Sequence, residues 1–306
     1  MQIFDSFKSS LNQSLDLFLG HKIVIKREDL IHPRVSGNKF RKLKYIFQEI
    51  KEKEVSALLT FGGAFSNHLA ASAYAGKNSG VHMIGIVRGD EWGRKIHESA
   101  TLNYCVSQGM ELHCISRDIY TQKEQAPIVT KLMKKIPRLR IIPEGGTEPL
   151  AVKGCLEILQ SEDLNFDVIC SSVGTGGTIA GLVNSSNDNQ NLIGFNALNN
   201  TEIVHTIEEL TNKKNWSIEN DYTFGGYAKI KPTLISFMND FYQQYRIPLD
   251  PIYTGKMVFG IFDLIKKDKW PWGKKILIIH TGGLQGLEGM NVQLQRKGHP
   301  TLLYGE

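Results

Sequence analysis

Short apolar runs alternating with longer helical segments predict an α/β protein built on a mostly parallel sheet. Two further observations support that class. Most of the glycine-rich turns follow an apolar run and precede a helix, the place where open α/β sheets bind ligands. The chain has 306 residues, 41% hydrophobic and 22% charged, with 29 Gly and 10 Pro. That composition suits a globular protein of about two domains and excludes disordered, collagen-like and coiled-coil chains.

In chain order, Lys22-Ile-Val-Ile25 is the first β-branched run and predicts a strand. A helix is expected at 39–51, where apolar residues return every three or four positions. Ala57-Leu-Leu-Thr-Phe61 predicts the next strand and 66–77 the next helix. Val81-His-Met-Ile-Gly-Ile-Val87 and Leu112-His-Cys-Ile115 predict two strands joined by a helix at 96–108. A helix at 122–134 leads to Arg140-Ile-Ile142, and one at 149–161 leads to the buried strand Val168-Ile-Cys-Ser-Ser-Val173. A helix at 178–184, the strand Leu192-Ile-Gly-Phe195, helices at 201–212 and 233–245, and the strand Ile276-Leu-Ile-Ile279 complete the pattern. There is no fixed-period repeat, low-complexity tract or long linker.

The net charge is +5, and the densest basic stretches, 39–44 and 131–140, read as solvated helix faces. This weighs against nucleic-acid or membrane partners. The four cysteines, Cys105, Cys114, Cys155 and Cys170, show no C-x-x-C spacing, and Cys170 sits in an apolar run as a buried reduced thiol. No metal site is expected. No apolar stretch approaches the ~20 residues of a membrane span, and the first residues carry Asp5 and Lys8 where a signal peptide needs an apolar run. The expected location is the cytoplasm.

Turn chemistry concentrates in Ser36-Gly-Asn-Lys39, Gly62-Gly-Ala-Phe-Ser66, Glu144-Gly-Gly-Thr147, Gly174-Thr-Gly-Gly-Thr178, Gly225-Gly-Tyr227 and Thr281-Gly-Gly283. Of these, Gly174, Thr175, Gly176, Gly177 and Thr178 link a buried strand to a helix start. Such glycines let backbone N–H groups converge on an anion, and the helix N-terminus adds positive partial charge. The dinucleotide fingerprint needs Gly where Ile179 stands, and the Walker A signature G-K-[ST] is absent. The loop thus suits a compact phosphate monoester and disfavours a nicotinamide-dependent oxidoreductase. A ligand-free βα turn fits the same residues.

Lys39 opens a helix just after a glycine turn. Positive partial charge there lowers an amine's pKa and favours the neutral form that makes Schiff bases. Taken alone, Lys39 reads first as one more surface lysine among many.

Six motifs taken together carry a resemblance. Lys26-Arg-Glu-Asp29, Ser36-Gly-Asn-Lys-Phe-Arg-Lys-Leu43, Phe61-Gly-Gly-Ala-Phe-Ser-Asn-His68, Gly174-Thr-Gly-Gly-Thr178, Tyr253-Thr-Gly-Lys256 and His280-Thr-Gly-Gly283 occur in that order. The chain resembles the 1-aminocyclopropane-1-carboxylate deaminase/D-cysteine desulfhydrase family over nearly its whole length. These are pyridoxal-phosphate enzymes of the tryptophan-synthase-β fold type. The resemblance implies two three-layer domains with open, twisted, mostly parallel sheets. The larger, cofactor-binding domain would comprise 1–45 plus 152–306, and the smaller inserted one 46–151. It also implies a homodimer.

The resemblance further implies roles. Lys39 matches the lysine that holds the cofactor, Asn67 the asparagine beside its ring hydroxyl, and Thr281 the position near its pyridine nitrogen. Gly174 to Thr178 match the phosphate cradle. Ser66, Asn67 and His68 match positions around the substrate carboxylate, with Ser66 also a candidate nucleophile. Tyr227 and Tyr253 match tyrosines facing the substrate, and Lys39 and Tyr253 are the candidate proton carriers. Read without the resemblance, Ser66 is also an N-cap, Asn67 a turn former, His68 a packing histidine, and the tyrosines core edges.

Thr254 and Thr281 stand where the deaminase branch carries Glu and Leu. A hydroxyl near the pyridine nitrogen leaves the ring neutral and a weaker electron sink, enough for eliminating thiolate but less suited to opening a cyclopropane. The expectation is therefore a lyase acting on a small D-amino acid, D-cysteine first. The cyclopropane deaminase, a D-serine dehydratase-like enzyme and a catalytically silent cofactor-binding protein are the alternatives. Phe65, Glu148 and Ala151 depart from the family's usual Gln, Asn and Gly.

Overall fold

A computed structural model describes residues 2–5 and 7–304. The strands are β1 (Asn12–Ser14), β2 (Lys22–Lys26), β3 (Ala57–Gly63), β4 (His82–Arg88), β5 (Glu111–Ile115), β6 (Leu139–Ile142), β7 (Val168–Val173), β8 (Asn191–Asn196), β9 (Trp216–Glu219) and β10 (Lys275–Ile279). The helices are α1 (Gln2–Asp5), α2 (Asn38–Glu52), α3 (Asn67–Ser79), α4 (Ala100–Ser107), α5 (Arg117–Thr121), α6 (Pro127–Lys135), α7 (Pro149–Cys155), α8 (Gly177–Ser185), α9 (Ile203–Glu208), α10 (Pro232–Tyr245), α11 (Thr254–Lys266) and α12 (Leu287–Arg296).

Two sheets organise these elements. One has six strands in the order β1-β2-β10-β7-β8-β9; the other has four in the order β5-β4-β3-β6. Every pair is parallel except β1 with β2. The fold class read from the sequence is the one observed. The four-stranded sheet is inserted in the chain between β2 and β7.

Strand alternation makes each sheet the middle of three layers. Ile23, Ile25, Ile193 and Phe195 point to α10, α11 and α12; Val24, Leu192 and Leu277 point to α8 and α9. In the smaller sheet, Leu58, Met83 and Val87 face α2, α3 and α4, while Leu59, Ile84 and Ile86 pack on Tyr120, Val129 and Leu132. Strands buried on both faces explain the near-continuous apolar runs.

Several expectations are corrected. The helix placed at 96–108 begins at Ala100, behind a 3₁₀ turn and a Ser99 cap that accepts from Leu102 N–H. The helix placed at 122–134 begins at Pro127, whose missing N–H suits a first turn. The helices placed at 149–161 and 201–212 stop at Cys155 and Glu208. Strands β1 and β9 and helices α11 and α12 have no counterpart in the sequence reading. The stretch 39–44 is not a solvated face. Arg41 is buried in a two-pronged pair with Glu28, both bonds 2.9 Å, and Lys42 is only 2% exposed.

Helices α2 and α7 meet at near backbone contact. A Cβ at Gly154 would lie 1.9 Å from the carbonyl oxygen of Arg41. Glu148, unusual in sequence, forms a 2.8 Å pair with Arg140 just ahead of α7. Lys26, at the end of β2, pairs with Asp163 at 2.7 Å with both side chains fully buried. Cys170 is free and fully buried. Among the described residues no helix is long and apolar enough to cross a membrane.

Candidate active site

The ends of β3, β7 and β10 and the starts of α2, α3 and α8 converge on a cavity of about 660 Å³. Lys39, Ser66, Asn67, His68, Gly174, Thr175, Gly176, Thr178, Tyr227, Tyr253 and Thr281 all line it. Gly177 is the one candidate residue outside the wall. A Cβ there would stand 3.0 Å from Thr147 Oγ1 and 3.3 Å from Lys42 Nζ, so its bareness makes room behind the loop.

Lys39 sits in the first turn of α2, and its Nζ donates to Asn38 Oδ1 at 3.2 Å. Gly37 makes this start possible. Its φ is +62°, and a Cβ would fall 2.0 Å from the carbonyl oxygen of Thr281. Burial, then the neighbouring Lys42 charge, lowers the Lys39 amine to about 7. A neutral amine is thus well populated near neutrality.

Lys42 is a candidate site residue that sequence reasoning missed. Its Nζ donates to Gly145 O at 3.0 Å, Thr147 Oγ1 at 3.0 Å and Thr175 Oγ1 at 3.3 Å. The signal was its place one helical turn after Lys39, on the same face. Burial lowers it to about 8. Beside it, Gly176 takes φ +83° to open α8, and Thr178 Oγ1 accepts from Asn38 Nδ2 at 2.9 Å. Convergent amides, hydroxyls, a helix start and a lysine form a cradle for a dianion.

Ser66 caps α3, accepting from Leu69 N–H at 3.2 Å, so its hydroxyl proton is free for another partner. His68 is buried against Thr60. The Thr60 hydroxyl donates to Ile142 O at 3.0 Å, so it must accept from His68 Nε2–H at 2.8 Å. That network assigns the proton to Nε2 and leaves Nδ1 a bare acceptor. Burial, then Lys39 and Lys42, holds His68 well below its ordinary pKa, so the ring is neutral.

Thr281 shares a 3.3 Å hydroxyl contact with Ser172, and its carbonyl accepts from Asn38 N–H. Thr254 lies outside the wall, fully buried, with its hydroxyl engaged by Asp250. Asp250 also accepts from the N–H groups of Ile252, Tyr253 and Thr254, which fixes the start of α11 and with it Tyr253. Gly174 is bare where Tyr253 approaches; a Cβ would lie 3.2 Å from its ring. Burial raises both tyrosines, Tyr253 far above its usual value. Opposite stand Arg88, 5.9 Å from the Tyr227 ring centre, and Glu144, which accepts from Tyr120 and Lys123 at 2.6 Å each. Phe65 packs edge-on against Trp92 at 5.4 Å, narrowing the wall beside Ser66.

Two adjacent side chains in this wall carry buried atoms without a partner, Asn67 Oδ1 and His68 Nδ1. Buried polar atoms without partners are uncommon, and here both belong to residues that line a cavity with a ready anion cradle. A phosphorylated, hydroxyl-bearing aromatic aldehyde fits this donor set: anion at Lys42 and the glycine loop, aldehyde at Lys39, ring hydroxyl at Asn67.

Comparison with known proteins agrees. The family described as pyridoxal-phosphate dependent enzyme matches residues 10–282. The chain belongs to this family. Its cofactor is pyridoxal phosphate. A Pyrococcus furiosus protein with the provisional name 1-aminocyclopropane-1-carboxylate deaminase is 31% identical over 298 residues, covering 89% of this chain and 88% of that one. The Arabidopsis thaliana mitochondrial bifunctional D-cysteine desulfhydrase/1-aminocyclopropane-1-carboxylate deaminase is 28% identical, covering 88% and 74%. Among solved structures, an ACC deaminase homologue superposes with TM-score 0.79 at 27% identity, over 94% of each chain. The chain is thus a member of the 1-aminocyclopropane-1-carboxylate deaminase/D-cysteine desulfhydrase branch, with the tryptophan-synthase-β-like fold.

Proposed function

We propose that this enzyme is a lyase that removes the β-substituent of a small D-amino acid, with D-cysteine as substrate and pyruvate, sulfide and ammonia as products. The observation that carries this reading is the wall at Thr281. The hydroxyls of Thr281 and Ser172 meet there, both in residues of the wall, while Thr254 is turned away to Asp250. In the family resemblance this is the side of the pyridine nitrogen. Without a carboxylate beside it, a good leaving group such as thiolate is the chemistry best served.

Lys39 would hold the cofactor. Lys42, Thr175, Thr178 and the amides of the 174–178 turn would hold its phosphate, and Asn67 its ring hydroxyl. When bound, pyridoxal phosphate supplies an electron sink for the carbanion formed at the substrate's Cα. The substrate carboxylate is proposed to sit at Ser66 and Asn67, where α3 begins and its free N–H groups point outward. His68 offers only its Nδ1 lone pair, so it would accept a hydrogen bond, as from a bridging water, and not bind the carboxylate. Lys39, with its neutral form well populated near pH 7, would take the Cα proton. Tyr253, held as a phenol, can give a proton and is poorly suited to taking one. On this reading the chain divides into a domain of 1–45 plus 152–306 and a domain of 46–151, with the cavity between them.

A substrate panel tests the proposal. D-Cysteine, β-chloro-D-alanine, D-serine, L-cysteine and 1-aminocyclopropane-1-carboxylate are each assayed for keto acid. Pyruvate from D-cysteine and β-chloro-D-alanine supports it. Keto acid from the cyclopropane substrate alone would overturn it.

A further inference from the structure

Lys256 is almost fully buried, yet among the described residues no carboxylate forms an ion pair with it. Its Nζ instead donates to three backbone carbonyls: Gly226 at 2.7 Å, Thr223 at 2.8 Å and Ala197 at 3.2 Å. A neutral amine has two N–H donors, so three such bonds require the ammonium form. A cation enclosed by carbonyl oxygens is the arrangement that otherwise holds a monovalent metal ion or ammonium.

The three carbonyls come from two loops with a bearing on the cavity. Ala197 directly follows β8 and leads into Leu198 and Asn200, both in the cavity wall. Thr223 and Gly226 belong to the turn that delivers Tyr227. That turn is conformationally demanding: Phe224, Gly225, Gly226 and Ala228 all take positive φ, at 55°, 96°, 103° and 54°. Left to itself, such a run is strained, and something must hold it.

The turn is held by one face of α11. Lys256, Phe259, Gly260 and Asp263 recur at helical spacing along it. Phe259 packs edge-on against Phe224 at 5.1 Å, and Asp263 accepts from the Tyr222 hydroxyl at 2.8 Å. Gly260 is bare where the Tyr222 ring lies, 2.8 Å from the place of a Cβ. The same helix carries Tyr253 at its N-terminus. Lys256 therefore ties the two cavity tyrosines to a single element.

We propose that Lys256 is a tethered monovalent cation. Its ammonium fills a carbonyl cage that fixes the 223–227 turn, and through it Tyr227, relative to Tyr253. It is a positioning residue and touches no reacting atom. Because the cation is covalently attached, the enzyme needs no free potassium or ammonium for this purpose.

The test replaces the tether and supplies the ion. Lys256→Met keeps the apolar stem of the side chain, ends one heavy atom short of the Nζ position and removes the charge. Thermal unfolding is followed for wild type and K256M in lithium, sodium, potassium and ammonium chloride at matched ionic strength, on apo-protein and on cofactor-loaded protein. K256M should melt below wild type and be restored selectively by potassium and ammonium, since an ion bound only by the folded state raises its stability. Wild type should not distinguish these salts. Melting needs no substrate, so the outcome is independent of the proposed D-cysteine activity. Where turnover is measured, K256M should raise KM, and the same two salts should lower it again. A K256M protein that melts like wild type, or is equally affected by all four salts, overturns the proposal. So does K256M that stays unfolded in ammonium and potassium, and so does selective stabilisation of wild type by potassium.

Discussion

Lys39 and Lys42 stand three residues apart on α2, so both amines enter one cavity and the charge on Lys42 helps keep Lys39 neutral. The pair divides its labour: one amine is poised to react, and the other stays among hydroxyls and a carbonyl as a fixed positive charge.

The first prediction concerns Lys39. Because burial brings it to about 7, capture of pyridoxal phosphate by apo-protein should speed up as pH rises from about 6 to about 8, then level off. The sign follows from the neutral amine being the nucleophile. Stopped-flow absorbance would check it; a rate still climbing steeply above about pH 9 would mark an ordinary lysine. Lys39→Ala should lose the visible absorbance band expected of lysine-bound pyridoxal phosphate while keeping the fold.

The second concerns Lys42. Lys42→Met removes a charged donor to a phosphate dianion, a loss of about 1.5–3 kcal/mol, or roughly 10- to 150-fold in affinity. Titration with pyridoxal phosphate should show that loss. Titration with pyridoxal, which has no phosphate, should show little change. Equal weakening of both would mean that Lys42 supports the cavity wall and not the anion.

Tyr253→Phe provides the third. The ring keeps its contact with Gly174, so binding should persist while kcat falls roughly 10²–10⁴-fold. Since burial raises the phenol far above its usual pKa, wild-type activity should show no loss assignable to Tyr253 ionisation below about pH 9. Steady-state kinetics across pH would decide both points.

Gly154→Ala sets two effects against each other. Alanine in a helix interior gains about 1 kcal/mol over glycine. Here its Cβ would sit 1.9 Å from the Arg41 carbonyl oxygen, and that atom belongs to the backbone of α2, which cannot swing aside. Overpacking of this kind costs about 1–3 kcal/mol, so the net change should be destabilising. The denaturant midpoint should fall; a rise would show that α2 and α7 can part without penalty.

Much of the fold was legible because parallel strands buried on both faces leave apolar runs. The edges were not. Asn12-Gln-Ser14 and Trp216-Ser-Ile-Glu219 are short, and their pairing, not their composition, makes them strands. Helix α11 carries Gly255 and Gly260, poor helix formers that weaken its signal but serve close packing against Asp250, Met238 and Tyr222. In the site, motif order marked the cavity wall well. It did not mark Lys42, since one lysine in a basic stretch looks like its neighbours until burial separates them. Nor could it reveal the state of His68, which depends on a hydroxyl from β3 and a carbonyl from the end of β6.

The strand order has a consequence for how the molecule is made. β2 lies beside β10, with Lys22 opposite Lys275, so a central pairing of the larger sheet joins residues about 250 positions apart. The four-stranded sheet, by contrast, draws its strands from a single continuous stretch of chain. During synthesis that smaller sheet can assemble while β2 still waits, its apolar edge unpaired, for the last described strand to emerge. The apolar edge of β2 is the part of the nascent chain most in need of protection, and losing the last thirty or so residues would leave the larger sheet without its middle.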